Sequence, residues 1–133
     1  MIHKEKLKAV ILKELKQRKL LSKTNFIILF GSVHKNTATP MSDIDICLSL
    51  NLPKLARQKV RITLLGELND KIDLQIFEDL PLYIQVEVLT GFVLYVKNNK
   101  KLHDIAIKKI QEYEDFKPVH ELLTTPKCKR VET

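Results

Sequence analysis

Cysteine, aromatic residues and long apolar runs are all scarce in this chain of 133 residues, and each scarcity excludes a class of protein. Cys47 and Cys128 lie far apart and form neither a CxxC pair nor a metal-ligand spacing, which excludes a disulfide scaffold and a zinc ribbon. No apolar run is longer than Phe26–Phe30, whereas a membrane-spanning helix needs about 20 residues. The charged N-terminal residues are followed by no apolar segment, so no signal peptide is predicted. These features favour a reduced, cytoplasmic protein without a membrane partner.

The formal net charge of +7 raises the question of a nucleic-acid partner. Many of the lysines, however, fall in stretches with helical periodicity and are mixed with acidic residues, a pattern typical of solvated helix faces. Aromatic residues make up only 6% of the chain and do not interleave with the basic residues, so a stacking platform for single strands is not expected. Direct nucleic-acid binding is therefore not expected, while a phosphate-rich partner and an acidic protein surface both stay open as alternatives.

The length and the apolar fraction of 44% are those of one globular domain. Apolar periodicity predicts helices over residues 3–21, 53–69, 81–91 and 98–115, strands over 26–30, 43–48 and 71–77, a helical turn with a loop over 33–42, and a strand or helix over 92–96. Gly91 is expected to end its helix as a left-handed cap. The predicted architecture is a small α/β or α+β domain, in which helices pack on one face of a mixed sheet. We assign residues 1–118 to this domain and residues 119–133 to a loosely ordered C-terminal tail.

Three aspartates occupy positions that need an explanation, because aspartate disfavours strands. Asp43 and Asp45 alternate with apolar residues on the second predicted strand, and Asp73 does so on the third. Since the apolar sets must face the core, paired strands would present all three aspartates on the same, non-core face. Like charges brought together repel unless a cation lies among them, and oxygen ligands suit Mg²⁺ or Mn²⁺. The alternative is that they are ordinary solvent-facing residues.

A glycine–serine pair directly after the first predicted strand favours the functional interpretation. Gly31 lets a ligand approach the backbone closely, and the following amides with the Ser32 hydroxyl can cradle a phosphate. Ten residues separate this pair from Asp43. A phosphate site so close in sequence to a pair of carboxylates predicts one reaction centre.

The motif formed by Leu29–Ser32, ten further residues and Asp43–Asp45 resembles the G-S-x10-D-x-D signature of the DNA polymerase β-like nucleotidyltransferase superfamily. The small size and the stretch Val86–Tyr95 are similar to those of its minimal members, the MNT antitoxins of MntA type, which are encoded beside HEPN-domain toxins. The resemblance covers roughly residues 7–97 and implies a polymerase β-like nucleotidyltransferase fold.

The resemblance also implies the roles of the three aspartates. Asp43, Asp45 and Asp73 would be the catalytic and metal-binding residues, holding two Mg²⁺ ions, with Mn²⁺ as a substitute. Asp73 would complete this metal site or take the proton of the attacking hydroxyl.

The nucleotide-binding residues implied by the resemblance are Gly31, Ser32 and Lys35, which would bind the triphosphate of ATP. Many relatives follow Gly-Ser with an Arg-x-Arg-Gly run, whereas this chain has Val33–Asn36. Lys35 keeps one positive charge, and Asn36 can adopt the left-handed conformation of the glycine.

The implied function is metal-dependent transfer of AMP from ATP to a hydroxyl, expected on a tyrosine, of a partner HEPN toxin, for which the protein acts as antitoxin. Two alternatives stay open. In the first, the protein would neutralise a HEPN ribonuclease by binding alone. In the second, it would transfer a nucleotide to a small molecule. Homo- and hetero-oligomers both stay open as well.

Overall fold

The computed structural model describes residues 4–31 and 44–124, with side chains up to Phe116. Its elements are α1 (Lys4–Gln17), β1 (Thr24–Phe30), β2 (Ile44–Leu50), α2 (Lys54–Glu67), β3 (Ile72–Ile76), α3 (Leu82–Leu89), β4 (Phe92–Val96) and α4 (Asn99–Thr124). Short 3₁₀ turns lie at Leu21–Lys23 and Phe77–Asp79. The predicted loop over 33–42 and most of the predicted tail lie outside the described residues.

The predicted helices and strands are all present, and the ambiguous run 92–96 is a strand. The largest difference lies in α4, which passes the expected end near residue 115 and continues through Pro118 to Thr124. Pro118 lacks one backbone N–H but does not end this helix. None of the helices in the described part of the chain has the length and apolar composition needed to cross a bilayer.

The four strands form one mixed sheet in the order β3-β2-β1-β4. β1 is antiparallel to both β2 and β4, whereas β2 and β3 are parallel and are joined by α2. Parallel neighbours start at the same edge of a sheet, and an antiparallel neighbour ends there. The N-terminal ends of β2 and β3 therefore lie beside the C-terminal end of β1.

Helices cover both faces of this sheet. On one face, α1 and α2 contribute Ile11 and Leu64 to the larger core, which includes Ile27 of β1. On the other face, Val88 of α3 and Phe26 of β1 belong to a second core, against which side chains of α4 pack. The expectation of helices on one face is therefore wrong. The reason is that β1 is apolar at successive positions, so both of its faces need to be buried.

Gly91 joins α3 to β4 and has no positive φ angle, so the predicted left-handed cap is wrong. Its missing side chain serves close packing instead. A Cβ at this position would overlap the carbonyl oxygen of Leu29 and would lie 2.8 Å from Ile28 Cγ2 and 3.0 Å from the carbonyl oxygen of Val88. The connection thus passes directly against β1.

We expect Gly91→Ala to lower the free energy of unfolding by about 2 kcal/mol or more, because the overlapped atoms include backbone that cannot rotate away. Urea denaturation measures this change. Gly66→Ala is the matched control, since nothing lies within 4 Å of a Cβ there and alanine favours the α2 helix by about 1 kcal/mol. A Gly91→Ala protein as stable as the unchanged chain would contradict the packing role.

Candidate active site

Two of the three predicted aspartates lie side by side in the sheet. Asp45 is the second residue of β2 and the register partner of Asp73, the second residue of β3. Neighbouring strands are about 5 Å apart, so two carboxylates on one face are within reach of a single ion. Both side chains are half-buried. The structure thus brings together two carboxylates that are separate in sequence.

Asp45 and Asp73 lie on the same face of the sheet, as predicted, but part of that face is covered by hydrophobic core. Cys47 follows on the same face of β2, is fully buried and belongs to the second core. Burial, and then the charge of Glu78, raises the pKa of the Cys47 thiol, so this cysteine stays protonated and fills space. The aspartates therefore lie at the edge of an apolar layer rather than on an open sheet face.

Gly31 follows β1 directly and lies against Asp45. Its φ angle is +80°, in the left-handed region that favours glycine. A Cβ at this position would overlap Asp45 Oδ2 and would lie 3.2 Å from Asp45 Cγ. Phe30, the preceding residue, is the register partner of Asp45. Gly31 is therefore needed both for its backbone conformation and for the space that the Asp45 carboxylate occupies.

Gln75 contacts the second carboxylate and was not predicted from the sequence. Its Nε2 donates to Asp73 Oδ1 at 3.3 Å and to Asp73 Oδ2 at 3.2 Å. The two residues are two positions apart on β3, so their side chains point to the same face. A neutral amide orients the carboxylate without cancelling its charge. The one signal in the sequence is this spacing, which is too common to identify a site.

Ser32, Lys35 and Asp43 lie outside the described residues, so their roles stay predictions. Among the residues that the structure describes, no group of three potential metal ligands is present. The pair of Asp45 and Asp73 nevertheless fits a hard divalent cation, because its donors are paired, half-buried carboxylate oxygens.

The chain is similar in sequence to known nucleotidyltransferases. The sequence profile described as polymerase beta, nucleotidyltransferase, matches residues 8–100, a range that includes Gly31, Asp45 and Asp73. A protein of Methanocaldococcus jannaschii that is assigned as a protein adenylyltransferase is 34% identical over 99 residues, which cover 74% of this chain and 71% of that protein.

Solved structures share the fold. A chain in the crystal structure of a toxin–antitoxin with AMP-PNP superposes with a TM-score of 0.70 at 26% identity, over 87% of this chain and 94% of that one. A chain of the complex between a tri-AMPylated Shewanella oneidensis HEPN toxin and an MNT antitoxin has the same fold, with a TM-score of 0.64 at 23% identity, over 90% and 94% of the two chains. The sequence match, the fold and the motif agree, and the chain belongs to the polymerase beta family of nucleotidyltransferases.

Proposed function

We propose that this nucleotidyltransferase transfers AMP from ATP to a tyrosine hydroxyl of a HEPN-domain toxin and thereby acts as the antitoxin. The observation that carries the proposal is the pairing of Asp45 with Asp73 beside Gly31. Further support comes from the 34% identical relative that is assigned as a protein adenylyltransferase, and from the similar chain in a toxin–antitoxin structure with AMP-PNP.

In this proposal, Asp45 and Asp73 hold divalent metal together with Asp43. Bound Mg²⁺ supplies activation of the attacking hydroxyl and charge stabilisation of the leaving group. The hydroxyl oxygen forms a bond to the α-phosphorus of ATP, the bond to the β-phosphate oxygen breaks, and pyrophosphate leaves. The hydroxyl proton passes to solvent or to a carboxylate of the site. Every atom of ATP and acceptor is accounted for in AMP-tyrosine, pyrophosphate and one proton.

The Gln75 amide favours metal binding over proton transfer as the task of Asp73. It donates to both oxygens of the carboxylate, which fixes the plane in which these oxygens lie. A metal ligand needs such a fixed orientation, since the protein groups around a ligand orient it toward the ion.

The triphosphate of ATP binds where β1 ends. Gly31 has no side chain to block that approach, and the Ser32 hydroxyl and the Lys35 ammonium contact the phosphates. A positive charge is needed there because the carboxylates alone would repel a triphosphate.

The proposal is tested by incubating the purified protein with a HEPN toxin and ATP labelled at the α-phosphate. We expect the label on a toxin tyrosine in Mg²⁺ or Mn²⁺ and none in chelator, because carboxylates without a cation repel the triphosphate. Peptide mass spectrometry locates the modified residue. A toxin with that tyrosine changed to phenylalanine serves as the control.

Two other results would contradict the proposal in different ways. Toxin that is neutralised without acquiring label would show an antitoxin that acts by binding alone. Label that appears on a small hydroxyl compound and not on the toxin would show a different acceptor. Calorimetric titration with ATP separates these cases from a failed metal site, because equal ATP affinity in Mg²⁺ and in chelator would exclude the metal.

A further inference from the structure

A cavity of about 310 Å³ lies at the end of the sheet opposite to the candidate active site. Asn25, near the start of β1, lines it, whereas Gly31 follows the end of that strand. A strand rises about 3.3 Å per residue, and Asp45 pairs with Phe30, so the paired aspartates lie about 17 Å from Asn25 along the strands. The proposed transfer reaction does not use it.

The lining of the cavity is cationic. Lys97 and Lys101 contribute to it, and none of the aspartates or glutamates that the structure describes does. The Lys97 ammonium donates to the carbonyl oxygen of Ser22 at 2.7 Å, which holds it in place. Within the described part of the chain, the Lys101 ammonium has neither a hydrogen bond nor an ion pair. Two ammonium groups without a carboxylate match a dianion, and a phosphate monoester carries about two negative charges near neutral pH.

Two asparagines give the cavity one acceptor and one donor. The Asn25 Nδ2 donates to Ser49 Oγ at 3.1 Å, which leaves the Asn25 Oδ1 to accept. The Asn98 Oδ1 accepts from the backbone N–H of Lys101 at 3.1 Å, which leaves the Asn98 Nδ2 to donate. An acceptor and a donor in one cavity can bind the edge of a nucleobase, which carries both kinds of group.

Ser22 and Asn51 complete the polar part of the lining, and the rest is apolar. Phe26, which is 1% exposed, lines the cavity together with Leu102 and Ile105. Apolar and aromatic side chains with a few polar groups are typical of small-molecule sites, whose volumes begin at about 300 Å³. We propose that this cavity binds a nucleoside monophosphate, with the phosphate at Lys97 and Lys101 and the base at Asn25 and Asn98.

The test titrates the full chain with AMP in chelator, where no metal is present to hold a phosphate at the aspartates. We expect saturable binding that Lys101→Gln weakens about tenfold, as befits the loss of one charged contact to phosphate. Lys100→Gln is the matched control, because Lys100 is an exposed neighbour on α4 that does not line the cavity. This control is expected to change the affinity less than twofold.

Adenosine and ribose 5-phosphate identify which part of AMP is recognised. We expect both to bind at least tenfold more weakly than AMP, since each lacks one of the two recognised groups. If adenosine bound as tightly as AMP, the proposed phosphate site would be wrong. If ribose 5-phosphate bound as tightly as AMP, the proposed recognition of the base would be wrong. The proposal also fails if AMP does not saturate, or if Lys100→Gln weakens binding as much as Lys101→Gln. None of these results depends on adenylyl transfer to a toxin.

Discussion

Asparagine in place of Asp45 or Asp73 is expected to lower AMP transfer about a thousandfold or more while the fold persists. Metal-ion stabilisation of a reacting phosphate contributes several kcal/mol, and each 1.4 kcal/mol changes a rate tenfold. Asparagine has nearly the same shape as aspartate, and both side chains are only half-buried at the start of their strands. Removing one charge also relieves the repulsion between the two register partners.

Single-turnover transfer of labelled AMP and thermal melts monitored by circular dichroism measure the two effects separately. Asp70→Asn is the matched control, since Asp70 is exposed in the turn before β3 and contributes nothing to the pair. Full activity of Asp45→Asn would exclude its proposed role. Melting of both aspartate variants well below the control would show that the pair is structural.

The shared face of Asp45 and Asp73 is predictable because it depends on local alternation. On each strand the apolar residues must face one core, so the aspartates between them face the other side whatever the strands' neighbours are. Their register is a different matter. A shift of the strand register by two residues would leave every side chain on the same face of the sheet. It would nevertheless displace one carboxylate from the other by about 7 Å along the strands. The register depends on how α2, which connects β2 to β3, packs against the sheet. The motif carries no information about this long-range packing.

The second core is the part of the fold that could not be predicted from the sequence. Phe26 and Ile28 of β1 face away from the larger core, and only the return of α3 and α4 across that face buries them. A short apolar run looks the same whether one or both of its faces are covered. The position of Cys47 in this second core follows from the same topology.

Gly31→Ala is expected to lower AMP transfer about a hundredfold or more by displacing the Asp45 carboxylate. The new Cβ would overlap Asp45 Oδ2 directly. Because the carboxylate is the end of a movable side chain, it turns away, and the metal site loses a correctly oriented ligand. A misplacement of about 1 Å at a reacting centre already costs about a hundredfold in rate. The left-handed backbone adds a stability loss of about 1–2 kcal/mol for alanine.

Gly31→Asn separates the displaced carboxylate from the backbone strain. Asparagine tolerates a positive φ angle better than alanine does, yet it carries the same Cβ. We therefore expect Gly31→Asn to be more stable than Gly31→Ala in urea denaturation and to transfer AMP no faster. Full activity in the asparagine variant, together with a smaller stability loss than in Gly31→Ala, would show that Gly31 serves the backbone turn alone.

The activity loss in Gly31→Ala has two possible explanations: the Asp45 carboxylate is displaced, or the approach of the ATP phosphates is blocked. Measurements of metal affinity distinguish them. If the new side chain moves Asp45, the Mn²⁺ concentration that gives half-maximal transfer rises together with the loss of rate. If it obstructs the triphosphate alone, the KM for ATP rises and the Mn²⁺ requirement stays unchanged. We expect the first pattern, because the atoms nearest to the missing Cβ all belong to Asp45. The second pattern would place the function of Gly31 in nucleotide binding and leave the orientation of Asp45 to other contacts.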